Sequence, residues 1–472
     1  MVSSEDTRMT TKTLWYTLPL CFCALALGCP GQNSENGDGG GDLPMQTLST
    51  RAQKGLSVGV SPFTIDTTGL TIAQQEQLGV GSYLVNAVGG CGDCHNQTVA
   101  GSPPTVKFLA GGTKFALPAM AGANTFVNAR NLTSDPSVGM RLTEAQFIES
   151  MRTGRDFKSA NMNELLYIMP WFATRWASED DLKAMYAYLK IVPAVNNAVA
   201  ADAKGLAAQV PPVLFPATYN EGDVSRALPP DPNPQDPLNY QRGLALQPLA
   251  DPPELATLSA EQKNAYGRGS YLVTLAGCND CHTNPSRDLN PLSATFMKIT
   301  TAAFLTGGAT FTVPSPLAPV LKQTRTMSAN LIGATNGIKS KLTAAQFREL
   351  LIQNRHVEDP GMAPLGWPMP QVFKNLVDED FSAIYLYLTT VKGPSGSFDK
   401  VISDYARYCT GPEDCNAAAS ETCDTTYNQC VGQTCTAASV STACNACQTC
   451  TASGNTRCAA PSNTSTCVSQ GI

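Results

Sequence analysis

The sequence predicts a mainly α-helical protein: two tandem copies of one helical domain, joined by a proline-rich connector and followed by a small disulfide-rich module. Three observations predict it. Five segments recur in the same order in the two halves of the chain. Those segments carry helical periodicity and helix-start signals. The 17 cysteines fall into three separated groups, the largest crowded between Cys409 and Cys467. At 472 residues the chain has room for several domains of ordinary size.

The net charge of −6 leaves no excess of Lys or Arg to neutralise phosphates, which argues against nucleic acid as a partner. The low charged fraction of 15% and the high Pro and Gly content suit an exported, loop-rich chain. The N-terminus points the same way. Leu14–Leu27, LWYTLPLCFCALAL, is apolar but too short to span a bilayer. Lys12 precedes it and small residues close it, the plan of a signal peptide. The stretch ends Leu25-Ala26-Leu27-Gly28-Cys29, which resembles a bacterial lipobox and implies a lipid anchor at Cys29. The following PGQNSENGDGGGD reads as a flexible polar tether.

The repeat comes next along the chain. GSYLVNAVGGCGDCHN (Gly81–Asn96) matches GSYLVTLAGCNDCHTN (Gly269–Asn284). FLAGGTKF (Phe108–Phe115) matches FLTGGATF (Phe304–Phe311), and ARNLT (Ala129–Thr133) matches SANLI (Ser328–Ile332). LTEAQFIESMR (Leu142–Arg152) matches LTAAQFRELLI (Leu342–Ile352). The last match pairs Met169–Leu189 with Met369–Leu388. Thr143 with Gln146, and Thr343 with Gln346, make capping-box patterns, with Leu142/Phe147 and Leu342/Phe347 at the staple positions. Leu182, Met185, Tyr186 and Leu189 follow helical spacing, as do Phe381, Ile384, Tyr385 and Leu388. Between the copies, Val192–Pro253 is rich in Pro, Ala and Asp. Its PPDPNPQDP cannot be helix or central strand and reads as an extended connector with room to pack across both domains. The expected layout is a signal peptide with lipobox over 1–29, a tether over 30–65, a first domain over 66–195, a connector over 196–255, a second domain over 256–395 and the Cys-rich module over 405–472.

The chemistry lies in C-x-x-C-H, which occurs at Cys91-Cys94-His95 and again at Cys278-Cys281-His282. This is the c-type haem attachment pattern. Cysteines one helical turn apart share a face, so both sulfurs reach the vinyl groups of one porphyrin edge, and the adjacent histidine reaches the iron. A thioredoxin-like pair would leave the histidines unexplained. Zinc would need two more ligands per site, and neither half offers another cysteine. Two motifs in register therefore imply two covalent haem c groups. For the sixth position, Met169 and Met369 each open a Met-Pro pair at the same place in the repeat, where the proline favours an extended backbone. Met162 competes in the first half, and Met362 and His356 in the second. Packing is the ordinary role of a methionine.

With GSYLV before each motif, the Gly111–Gly112 and Gly307–Gly308 pairs, Asn-Leu at 131–132 and 330–331, and the closing Met-Pro, each half resembles a class I cytochrome c domain. More closely, it is similar to the cytochrome c subunits of membrane-bound alcohol and gluconate dehydrogenases. The resemblance covers roughly Thr68–Val391 outside the connector. It implies a small helical shell around each haem and axial pairs His95/Met169 and His282/Met369. The chain departs in having two such domains rather than three, in its tail, and in Gln371 where the first half has Trp171.

The tail has ten cysteines and few large apolar residues, so disulfides must hold it, in an unread pairing. Cys444, Cys447 and Cys450 lack the fourth cysteine an iron–sulfur site needs. The functional expectation is an exported dihaem electron carrier of the bacterial cell envelope, periplasmic or on the outer surface. It would pass single electrons between a donor and an acceptor such as a dehydrogenase or terminal oxidase, with no catalytic residue of its own. The alternatives are a dihaem enzyme, peroxidase-like or thiosulfate dehydrogenase-like, with one open or differently ligated haem, and an adhesion lipoprotein working through its tail.

Overall fold

The computed structural model describes residues 47–96, 107–117, 124–159, 164–205, 212, 218–219, 221–288, 293, 295–312, 323–332, 337–355, 357 and 365–393, with short strands at 405–407, 422–424, 429–431, 449–451 and 457–459. It is mainly α-helical with short two- and three-stranded pairings. Among the described residues, no helix is long and apolar enough to cross a membrane.

The two halves follow a common order of elements, with additions in the second. In the first, α1 (Thr50–Leu56) precedes α2 (Ile72–Tyr83), which continues through a π-helical turn at Leu84–Val88 into α3 (Cys91–His95). A strand pair, β1 (Lys114–Ala116) with β2 (Phe126–Asn128), leads to α4 (Glu144–Thr153), α5 (Trp171–Thr174) and α6 (Glu179–Ile191). After the connector strands β3 (Thr218–Tyr219) and β4 (Arg226–Ala227), the second half gives α7 (Tyr240–Leu246), α8 (Pro253–Thr257), α9 (Ala260–Leu275) and α10 (Cys278–His282). Then come β5 (Thr310–Thr312) and β6 (Gln323–Met327), α11 (Ile338–Lys341), α12 (Ala344–Gln353), a 3₁₀ turn at Gln371–Asn375 and α13 (Asp378–Thr390).

The starts of α4 and α12 follow local chemistry. Thr143 and Thr343 accept from the Gln146 and Gln346 amides, while each glutamine side chain reaches back to the cap. Thr71/Gln74 and Ser259/Gln262 do the same for α2 and α9. On α6, Leu182, Met185 and Leu189 are buried, and the half-buried Tyr186 donates its hydroxyl to Leu142 O. Tyr385 does likewise to Leu342 O.

Two segments differ from the sequence expectation. Residues 50–56 fall in the segment expected to be a tether, yet form α1. Ser49 caps it, Arg51 pairs with Asp380, and Gly55 lets α1 meet α2 so closely that a Cβ there would lie 1.9 Å from Gly79 O. The stretch expected to be extended contains α7, the counterpart of α1. It crosses α9 at Gly243, where a Cβ would lie 1.7 Å from Gly267 O. Composition misleads here because these short helices gain their stability from that close crossing and not from propensity. The connector also returns to the first half, where Ala203 bridges Phe126. Strand β7 (Tyr405–Arg407), in the segment assigned to the Cys-rich module, adds an edge to β6. Cys423 is disulfide-bonded.

The halves share one hydrophobic core. Its polar centre is exchanged between them. Tyr83 of the first half donates 2.8 Å to Asp380 of the second, and Tyr271 of the second donates 2.5 Å to Asp181 of the first. The Val377 and Ser178 amides donate to those same hydroxyls. Each half thus satisfies a buried carboxylate of the other.

Candidate functional site

Each C-x-x-C-H forms one helical turn entered through a left-handed glycine, Gly90 at φ +56° and Gly277 at φ +67°. A side chain there would be strained, which accounts for glycine before the first cysteine of each motif. The carbonyl of His95 accepts from the Gly111 amide at 2.7 Å, and that of His282 from Gly307 at 2.7 Å. The two Gly-Gly pairs take positive φ to make that approach. Leu109 N bonds Asn96 Oδ1, and Leu305 N bonds Thr283 Oγ1, so the same clamp recurs with different side chains.

The histidine rings are fixed by the Ala-Arg-Asn-Leu and Ser-Ala-Asn-Leu segments. His95 Nδ1 lies 2.7 Å from Arg130 O, and His282 Nδ1 lies 2.7 Å from Ala329 O. A carbonyl can only accept, so each Nδ1 carries the proton and each Nε2 keeps a free lone pair. Burial pushes both imidazoles below their ordinary range, toward the neutral form a metal ligand requires. The orienting carbonyls belong to residues that sequence reasoning matched without assigning a role.

Cys91, Cys94, Cys278 and Cys281 are free and partly buried. Burial raises their thiols, Cys91 and Cys278 to about 12 and Cys281 to about 11. Burial therefore disfavours their thiolate forms.

A cavity of ≈200 Å³ opens beside the first motif. Cys91, Cys94, His95 and Met169 all line it, with Leu132, Met140, Phe147 and Leu189 among its apolar walls. Met169 lies half-buried in a bend and not in a helix, as the Met-Pro reading expects. Arg130 and Lys204 stand at the cavity, both paired with Asp156 at 2.7 Å. Met369 is half-buried against the common core, in a turn closed by Met369 N to Gly366 O at 2.9 Å. Met162, Met362 and His356 lie outside the described residues, as do the Cys29 lipobox and most of the tail.

The donor set fits a haem c. It offers two thiols one turn apart, an imidazole with its outer nitrogen fixed, a methionine on the same cavity, and apolar walls. Among the described residues, no cluster of three or more His, Cys, Asp or Glu could hold a metal ion by itself.

No family model matches the chain. A stretch of 118 residues is 33% identical to the alcohol dehydrogenase (quinone) cytochrome c subunit of Gluconobacter oxydans. Stretches of 116 residues are 34% identical to the subunits of the same name from Gluconacetobacter polyoxogenes and Komagataeibacter europaeus. Each match covers 24% of this chain and 24% of the relative, so the chain spans about a quarter of the length of the curated relatives it matches. The protein is mainly helical and distantly homologous to cytochrome c subunits of quinone-dependent alcohol dehydrogenases, a c-type cytochrome family.

Proposed function

We propose that the protein is an exported two-haem cytochrome c that carries single electrons between an extracytoplasmic donor and an acceptor. The observation that carries the reading is the double construction of C-x-x-C-H. In each copy the imidazole is held through Nδ1 by a backbone carbonyl, which puts the proton on Nδ1 and leaves Nε2 unprotonated. Cys91 and Cys94 would hold one haem and Cys278 and Cys281 the other, through thioethers. His95 with Met169, and His282 with Met369, would ligate the two haem irons. A bound haem would supply one-electron Fe(III)/Fe(II) chemistry, and methionine ligation raises its potential. The chain's own contribution is to hold the ligands in apolar surroundings and limit water. Similarity to dehydrogenase cytochrome subunits supports a redox protein as partner. Cys29 is the lipid-anchor site, which puts the protein in the cell envelope, and the cysteines between Cys409 and Cys467 would hold the tail through disulfides.

The test is the ferric absorption spectrum with covalent haem quantified per chain. Two haems and a Met-to-iron red band of full intensity, halved by Met169→Ala and by Met369→Ala, are expected. A band worth one haem or none would overturn the ligand assignment, and absence of covalent haem would overturn the function.

A further inference from the structure

A buried charge network joins the segment after Met169 to the second attachment motif, and a connector residue stands at its middle. Glu221 is 1% exposed. Its Oε2 accepts from Arg287 Nη1 at 2.7 Å, and its Oε1 lies 3.8 Å from Arg175 Nη1. Arg287 Nε in turn donates 3.0 Å to Asp280 Oδ1, inside Cys278–His282. The Glu221 carbonyl accepts from Ile299 N at 2.6 Å, so its backbone is fixed to the second half. The network reaches the first half through aromatic contacts as well. Arg287 lies 5.3 Å from the centre of the Phe172 ring, and Arg175 lies 4.4 Å from that of Trp176. Trp171 N bonds Met169 O at 2.7 Å, and Trp171 packs with Leu165 and Met297, whose carbonyl accepts from Arg287.

The repeat offers its own control. Asp93, the counterpart of Asp280, is exposed and makes no ion pair among the described residues. Gln371 and Val372 stand where the first half has Trp171 and Phe172. The network is therefore a one-sided addition to a two-fold plan. Bringing four charged groups out of water is costly unless the pairing is good.

Resting on the two-haem reading, we propose that Glu221 is a positioning residue. It holds Arg287 on Asp280 of the second attachment motif and Arg175 beside the Met169 segment of the first. One connector carboxylate thus sets both redox sites in a fixed relation and gives the two haems unequal surroundings.

The experiment is an equilibrium redox titration of the full-length haem-loaded protein, with the Met-to-iron band followed in parallel. Glu221→Gln leaves one positive charge unbalanced, and positive charge favours the ferrous state. The expected result is an increase of about tenfold in the ferrous-to-ferric ratio of the second haem at fixed potential, about 59 mV for one electron. The Met169 band is expected to weaken, and Glu221→Asp to restore most of both signals. The double variant Arg175→Met/Glu221→Gln removes opposite charges together, keeps the charge balance, and serves if the single variant does not fold. A shift of the second haem in the double variant reads lost positioning of Arg287, not lost charge. Wild-type potentials and band in the folded variants would overturn the proposal. Wild-type protein without covalent haem would instead overturn the reading beneath it.

Discussion

Replacing Asp380 by Asn should cost far more than the same change at its repeat counterpart, Asp181. Asp380 is fully buried and accepts from Arg51 at 2.5 and 3.0 Å, from Arg268 at 3.1 and 3.2 Å, and from Tyr83 at 2.8 Å. Burial alone would raise its pKa, but the two arginines hold it well below the usual carboxylate range. The repeat alignment shows why Asp181 differs. Aligned on Gly55 and Gly243, Arg51 corresponds to Asn239. Aligned on Gly81 and Gly269, Arg268 corresponds to Val80. Asp181 therefore accepts from neutral donors, Tyr271 at 2.5 Å and Asn239 at 3.1 Å, and burial raises its pKa. Asp380→Asn leaves two buried guanidinium groups without their counter-charge, a loss of about 3–5 kcal/mol. With a urea slope of about 3 kcal/mol/M, the unfolding midpoint falls by about 1 M or more. Asp181→Asn keeps an acceptor for one donor and costs about 1 kcal/mol or less, which moves the midpoint by roughly 0.3 M.

The pH dependence differs in sign. A lowered folded pKa makes Asp380 stabilising above its unfolded value, and that stability is lost only as pH falls through the folded value. The Asp380→Asn deficit is thus constant from pH 5 to 8. A raised folded pKa makes ionised Asp181 a penalty to the fold, so this group's contribution improves as pH falls through its folded value. The Asp181→Asn deficit is then largest in acid. Far-UV circular dichroism against urea at several pH values checks both. Equal midpoints for the two variants, or an Asp380→Asn midpoint within 0.3 M of wild type, would refute the reasoning.

Gly243→Ala places a methyl group 1.7 Å from Gly267 O, so α7 and α9 must part. A loss of about 1–3 kcal/mol is expected, read as a lowered thermal midpoint. An unchanged midpoint would mean that this helix pair does not hold the second half together. Cys29→Ala should release the protein from the membrane fraction of a bacterial host without altering haem content. Continued membrane association would exclude Cys29 as the anchor.

Much of the site is legible in the sequence because its determinants are short-range. The C-x-x-C-H spacing is a property of one helical turn, and register alone singles out Met169 and Met369 as candidates. Capping at Thr143 and Thr343 needs only residues three apart. The histidine orientation is harder to read. Arg130 and Ala329 act through their carbonyls, which every residue possesses, so side-chain identity gives no signal there.

By itself, the sequence determined the duplicated plan, the helix starts, the haem-type motifs and the candidate ligands, because spacing and repetition encode them locally. Tertiary structure decided where each half begins, since α1 and α7 are held by glycine crossings to partners 24 residues away in each case, from Gly55 to Gly79 and from Gly243 to Gly267. It also decided how the halves join. Tyr83 meets Asp380 and Tyr271 meets Asp181 across the repeat, and Glu221 of the connector holds Arg287, which pairs with Asp280 of the second motif. A buried charge must find a counter-charge wherever the folded chain brings one close, and that proximity is a property of the packed core and not of any stretch of sequence.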